Sequence, residues 1–278
     1  LKKSGFHEPD ILVVTSLKYA WLDSLVKPRL LVYRAVDDIR GFARSHPSLR
    51  EAEIPLLKRC DLCVATSEAL ADVLSKRGAS AVHVIRNGAD TAKDSQDKND
   101  PQPRDLNFIP HPRVVYVGAI NERFNFSWLD FAAKNLPEYH FVLIGPRNVK
   151  PEGLEPRRNV HFLGPRSPED TQSYLHASDI GIIPFRKSQL VNSTCPIKLY
   201  EYLAAGLPVV ATRWEEIQRI KAPVELADDK EGFVKALGRW RDLTDRDDRI
   251  AFARENDWEK RIAEFESLVI KSLESKRR

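Results

Sequence analysis

The sequence predicts an α/β protein made of two doubly wound parallel-sheet units that face each other across a cleft. Three observations carry this. Apolar runs of strand length alternate with amphipathic stretches of helical period. The runs are continuously apolar, which marks parallel strands covered on both faces. A polar, proline-bearing, aperiodic stretch at residues 91–107 (TAKDSQDKNDPQPRDLN) then divides the alternation into two series.

The first series opens with a strand at residues 11–15 (ILVVT) and a helix at 19–26. A strand at 30–34 (LLVYR) and a helix at 51–59 follow. Next come a strand at 62–66, a helix to Lys76 with Ser67 as its N-cap, and a strand at 82–86. Asn87-Gly88 breaks the pattern. The second series places strands at 114–118, 141–144, 160–163, 180–184 and 208–212, with helices at 127–135 and 168–177. In the stretch 195–206 (CPIKLYEYLAAG), Pro196 sits where a helix start tolerates proline, and Gly206 is suited to terminate that helix. The tail from Trp258 is helical. Its stripe of Trp258, Ile262, Phe265, Val269 and Leu273 is better suited to packing on the body than to a membrane.

The chain has 278 residues, of which 30% are charged and 42% hydrophobic; this excludes a disordered polymer and a small stapled domain. The net charge of +4 demands no nucleic-acid partner. Residues 1–88 hold 14 Lys and Arg against 10 Asp and Glu, so this first part carries the whole surplus. Such a bias suits anionic acceptors or peripheral association with a lipid surface, and equally a solvated face. No run of 18 apolar residues and no N-terminal apolar stretch occurs, so neither a membrane span nor a signal peptide is expected. Cys60, Cys63 and Cys195 cannot form a disulfide framework and suit a reducing compartment. Cys60-x-x-Cys63 lacks a second ligand pair, so it reads as a helix end followed by an apolar strand. Histidine spacing gives no metal motif; His176 reads as structural and His83 as packing. Methionine is absent throughout, and position 1 is Leu1.

The most informative stretch is 185–212 (FRKSQLVNSTCPIKLYEYLAAGLPVVAT). A polar loop feeds a helix start, where free backbone N–H groups favour phosphate. Lys198 lies in the first turn, against the dipole but able to meet a diphosphate. Glu201, one turn on, can accept hydrogen bonds from hydroxyls. A surface Lys198–Glu201 i,i+3 pair is the competing reading. Ligands at parallel sheets gather at the strands' carboxyl ends, so two units place a substrate between them.

This segment resembles the donor-binding signature of GT-B glycosyltransferases, in the retaining group that builds polysaccharides and glycolipids. Residues 115–120 (VYVGAI), 141–146 (FVLIGP), 159–164 (NVHFLG) and 178–185 (SDIGIIPF) follow that family's order and spacing. In the first unit, Glu53, Leu57, Cys60-Asp61, Ala65-Thr66-Ser67 and residues 86–90 (RNGAD) match the segments before its linker. The resemblance implies a GT-B fold of two Rossmann-like domains. Residues 1–90 would be a partial acceptor-side domain and 91–112 a linker. Residues 113–257 would be the nucleotide-sugar domain, and 258–278 a helix returning to the first domain. It implies a metal-independent, cytoplasmic glycosyltransferase, able to work at the inner face of the membrane. That enzyme would move a sugar from a nucleotide-diphosphate sugar to a glycan, lipid-linked or small-molecule acceptor, with no cofactor. Glu201 matches the family's ribose-binding glutamate. Thr194, Cys195, Pro196 and Ile197 match the loop whose amides meet the distal phosphate and sugar, while Gly118, Gly145 and Gly164 border the nucleotide.

Two departures stand out. Ser193 occupies the place of a sugar-binding glutamate, and Ala119 that of a diphosphate-binding arginine. Arg123 is the nearest replacement cation, helped by Lys198. For catalysis, Asp37 and Asp38 follow the second strand where relatives place a cleft-facing histidine or aspartate. At most one would act, because adjacent side chains point apart, and a cap is the competing role. The departures leave two alternatives open: a non-catalytic sugar-nucleotide or glycan-binding relative, and a nucleotide-sugar epimerase of the same fold. The resemblance also places residues 9–12 (PDIL) near the middle of the first domain. The opening strands then have no counterpart, implying on the order of 100 further residues and an exposed apolar sheet edge at residues 11–15.

Overall fold

The structure is a computed structural model and describes residues 8–42, 46–92, 102–243 and 245–276. The first unit contains β1 (Ile11–Val14), α1 (Leu22–Val26), β2 (Leu30–Ala35), α2 (Pro47–Arg59), β3 (Leu62–Ala65), α3 (Glu68–Lys76) and β4 (Val82–Val84). These strands form a parallel four-stranded sheet in sequential order. The second unit contains β5 (Arg113–Val117), α4 (Phe126–Asn135), β6 (His140–Ile144), β7 (Val160–Gly164), α5 (Pro168–His176) and β8 (Ile180–Ile183). It continues through α6 (Gln189–Asn192), α7 (Ile197–Ala204), β9 (Val209–Thr212), α8 (Glu215–Ile220), β10 (Glu225–Ala227), α9 (Lys230–Gly238) and α10 (Arg246–Glu255). Its parallel six-stranded sheet runs β10-β9-β8-β5-β6-β7. The order reverses between β5 and β8, the doubly wound arrangement. Finally, α11 (Trp258–Ser275) closes the described chain.

The parallel strands form where the apolar runs predicted them, because both faces of each sheet are covered. In the first unit one face packs Leu31, Tyr33 and Cys63 against Leu56, Leu70 and Leu74 of α2 and α3. The other face presents Leu30, Val32, Leu62, Val64 and Ile85 to Phe265, Leu268, Val269 and Leu273 of α11. So the C-terminal helix lies on the first sheet. Among the described residues, no helix is long and apolar enough to cross a membrane.

Local differences have local causes. The helix expected at 19–26 is instead a 3-10 turn (Leu17–Tyr19) followed by α1, which ends at Lys27 with φ +47° just before Pro28. The helix expected at 51–59 begins earlier, at Pro47, because His46 caps it by accepting from the Ser48 amide. Part of the polar stretch 91–107 lies outside the described residues. Its end forms a 3-10 turn (Arg104–Leu106) that inserts the fully buried Leu106 into the second core. His83 is exposed on β4 rather than packed. Ile11 and Val13 on the edge strand β1 are 38% and 39% exposed, the apolar edge expected there.

The units meet through polar contacts. The fully buried carboxylate of Glu216 on α8 accepts from the Ala69 amide in the first turn of α3 (3.1 Å) and from Arg86 Nε (2.9 Å). Arg219 pairs with Asp72 at 2.9 Å, and Gln189 donates to Asp38 at 3.3 Å. The chain crosses between the units at two places that lie side by side. Ala89 bridges Asp257, whose carboxylate accepts from the Thr91 amide at 2.9 Å and from its hydroxyl at 2.5 Å. A β-carbon on Gly88 would sit 2.4 Å from the Asn256 carbonyl oxygen, so the two segments touch backbone to backbone.

Removing Glu216 leaves a helix N-terminus without its acceptor and Arg86 with only the half-exposed Glu68. Glu216→Ala is expected to destabilise by about 2–4 kcal/mol, with Glu216→Gln costing less. Urea unfolding checks both; equal stability of Glu216→Ala and the parent would refute the clamp.

Candidate functional site

The site lies at the carboxyl ends of β5 and β8, on either side of the reversal in strand order. Three glycines end neighbouring strands there. Gly118 has φ +136°, and a β-carbon on it would lie 3.0 Å from Lys198 Nζ. Gly145 has φ +139°, and a β-carbon there would lie 2.1 Å from the Gly118 carbonyl oxygen. Both conformations disfavour larger residues, and at Gly145 the backbone contact excludes them outright. The Gly145 amide donates to the Gly164 carbonyl at 2.9 Å, lining up the rim. Tyr202 of α7 accepts from the Val117 amide at 2.7 Å and fixes the helix to the end of β5.

The start of α7 is held from behind. Three consecutive carbonyls each accept from a side chain elsewhere in the fold: Ser193 from Ser67 Oγ (2.6 Å), Thr194 from Trp214 Nε1 (3.0 Å) and Cys195 from Asn87 Nδ2 (2.7 Å). Two of these donors belong to the first unit. Pro196 is the N-cap and offers no side-chain acceptor, so the first-turn amides of Ile197 and Lys198 keep their donor capacity.

The side chains of this turn answer the expectations individually. The Ser193 hydroxyl, almost fully buried, donates to the Leu190 carbonyl at 3.1 Å, and Thr194 Oγ1 does so at 2.8 Å. Cys195 Sγ lies 3.5 Å from the Tyr200 hydroxyl. As side chains these three therefore face inward, and only their backbone can border a ligand. Ile197 is 42% exposed beside the turn.

Lys198 forms no surface pair with Glu201. Its ammonium lies 4.7 Å from the ring centre of Tyr116 and 5.1 Å from that of Phe185. The Arg123 guanidinium approaches the same Phe185 ring at 5.7 Å. Burial, reinforced by Arg123, pushes the Lys198 amine down to about 8, and Glu201 opposes the shift. Burial raises the Glu201 carboxyl, with Lys198 opposing. Two cations with no ion-pair partner among the described residues thus converge beside an open helix N-terminus, with a carboxylate one turn behind.

Asp37 and Asp38 separate sharply. Asp38 is fully buried, pairs with Arg77 at 2.8 Å and caps a 3-10 turn by accepting from the Arg40 amide at 3.1 Å. Arg77 also holds Glu53 at 2.7 Å. Asp38 is therefore corrected from catalytic candidate to structural anchor, because its oxygens are already taken. Asp37 faces the second unit: burial raises its carboxyl, Arg123 across the cleft opposes this, and Asp38 adds to the rise. Among the described residues, no three His, Cys, Asp or Glu side chains assemble as metal ligands. Tyr116, Phe185, Asn87, Trp214 and Tyr202 were missed as site-forming residues. Aromatic residues in or just after apolar strands beside a cation-bearing helix start were the available signal.

Comparison with known proteins agrees with this geometry. Residues 111–242 match the family described as glycosyl transferases group 1. A curated relative is the putative teichuronic acid biosynthesis glycosyltransferase TuaH of Bacillus subtilis (strain 168), 29% identical over 226 residues. The match takes in 76% of this chain and 57% of that protein, so the chain spans little more than half of the relative's length. Among solved structures, sucrose-phosphate synthase from Thermosynechococcus elongatus superposes with a TM-score of 0.75 at 15% identity, covering 96% of this chain and 74% of the other. Anabaena Alr3699/HepE in complex with UDP and glucose gives 0.75 at 17% identity, covering 94% and 78%. The fold is GT-B, and the similarity to group 1 glycosyl transferases lies in residues 111–242.

Gly118→Ala is expected to destabilise by about 1–2 kcal/mol through its positive φ and to displace Lys198. Thermal unfolding checks it; an unchanged midpoint would show that the loop accommodates a side chain.

Proposed function

We propose that this chain, built on a GT-B fold and similar to group 1 glycosyl transferases, moves a sugar from a nucleotide-diphosphate sugar to a glycan, lipid-linked or small-molecule acceptor in polysaccharide or glycolipid synthesis. The observation that carries the proposal is the convergence of Lys198 and Arg123 on Phe185, in front of the open N-terminus of α7. The UDP bound in the HepE structure and the biosynthetic role in TuaH's name support the same reading.

In this reading the diphosphate lies across Gly118 and the first turn of α7. The amides of Ile197 and Lys198 and the two cations stabilise its charge as the glycosidic bond breaks. These side chains take the part a divalent ion would otherwise play, so transfer is metal-independent. Glu201 accepts from the ribose hydroxyls. The acceptor enters from the first unit, on the side of Asp37. Transfer is retaining: the leaving diphosphate oxygen takes the acceptor's proton on the face it has just left, and Asp37 stabilises the positive charge developing on the sugar. The buried hydroxyl of Ser193 leaves recognition of the sugar's own hydroxyls to other groups.

Calorimetric titration with UDP tests the donor site. Glu201→Ala is expected to weaken binding by about tenfold or more, the loss of a charge-assisted hydrogen bond. Affinities indistinguishable from the parent would remove Glu201 from the site. Lys198 adds a pH signature, because only its charged form attracts the diphosphate. In the empty protein that form is complete well below pH 8 and lost above it. UDP affinity should therefore fall roughly tenfold between pH 7 and pH 9, and Lys198→Met should flatten the profile. Identical profiles in both proteins would exclude contact between Lys198 and the diphosphate. Product analysis with labelled donor separates transfer from epimerisation and from binding alone.

A further inference from the structure

At the opposite end of the second sheet lies a cavity of about 570 Å³. Its walls come from the end of α5, the turn after α7, the segment leading into β8, Trp240 and α10. Two guanidinium groups line it without an ion pair among the described residues. Arg249 is only 7% exposed and makes one hydrogen bond, from Nε to the Gly206 carbonyl at 3.0 Å; the rest of its guanidinium has no partner among the described residues. Arg246 lies flat across Gly206, so close that a β-carbon there would sit 2.7 Å from its Nε, and it likewise forms no ion pair among the described residues.

Burial opposes the charge of Arg249 while Asp245 and Asp248 favour it, but no carboxylate forms an ion pair with either guanidinium among the described residues. Asp179 accepts from His111 Nδ1 and from the Arg113 amide, both at 2.6 Å. Asp245 caps α10 by accepting from the Asp247 amide at 2.8 Å. A guanidinium so little exposed and without an ion pair is costly. The two guanidinium groups together suit one oxyanion, because such groups grip carboxylate or phosphate in a planar fork. The volume matches a small-molecule site rather than a single ion. The hydroxyls of Ser173 and Ser178 donate to the Asp170 and Tyr174 carbonyls, which leaves their lone pairs for hydroxyls of a ligand.

We propose that this cavity is a second ligand site, separate from the donor cleft, which binds a small phosphorylated or carboxylated molecule through Arg246 and Arg249. It does not depend on the glycosyl-transfer reading. The α7 helix joins the two places: Lys198 stands in its first turn and Gly206 just past its end, about 12 Å apart for eight helical residues.

The test is titration of inorganic phosphate and glucose 6-phosphate against the parent protein, followed by calorimetry and tryptophan fluorescence. The parallel variants are Arg246→Gln, Arg249→Gln and Lys198→Met. Arg246 is exposed, so its variant should fold normally; Arg249→Gln also loses the bond to the Gly206 carbonyl, so its thermal midpoint is compared with the parent's. The expected result is binding that weakens about tenfold or more in Arg246→Gln and Arg249→Gln and persists in Lys198→Met. Stronger binding of the sugar phosphate than of phosphate alone would identify the organic molecule as the ligand. Binding lost only in Lys198→Met would assign the anion to the donor cleft and overturn the proposal. No binding by the parent up to about 10 mM would overturn it equally.

Discussion

Three neighbouring carbonyl groups, those of Ser193, Thr194 and Cys195, govern the geometry of the cleft. Each is held by a side chain from a different part of the fold. A backbone whose acceptors are tied down on one side presents its donors on the other. The start of α7 is therefore positioned by both sheets at once. Ser67 performs two tasks here: its oxygen caps α3 by accepting from Leu70, and its proton goes to Ser193. Helix capping in one unit and ligand presentation in the other are thus joined in one hydroxyl.

Electrostatics in the cleft follow from that arrangement. Lys198 and Arg123 rest on aromatic faces instead of carboxylates. An aromatic face holds a cation in place while leaving most of its charge unanswered. A carboxylate partner would have neutralised the pair and left little attraction for an incoming anion. Asp38 and Glu53 illustrate the contrast, since Arg77 grips both and its own charge is fully answered. The neighbouring Asp37 escapes this network by one position along the chain.

Much of the fold was legible because parallel strands buried on both faces need uninterrupted apolar residues. The runs at 30–34 and 62–66 show this clearly. Ser67, Pro196 and Gly206 marked helix boundaries through local chemistry alone. The later part of the second unit was harder to read. β10 has only three residues, and α10 exposes charge on most of its surface. The site was legible as a linear motif, Pro196-x-Lys198-x-x-Glu201, but its supports were not. Asn87 reaches Cys195 across 108 positions, and Arg77 finds Asp38 across 39. No periodicity carries such pairings, so Asp37 and Asp38 could be told apart only in three dimensions. The absence of methionine is consistent with a core of branched aliphatic and aromatic side chains, whose shapes are better defined.

The two crossings between the units have a mechanical consequence. Residues near Ala89 and Asp257 run side by side, bonded to each other and in backbone contact. A pair of tethers placed together behaves like the pin of a door. Rotation about the pin leaves both segments intact, whereas shear or separation of the units would have to break their mutual bonds. The cleft is thereby limited in the ways it can widen, and the contact of Glu216 with Arg86, three residues before Ala89, reinforces the pin.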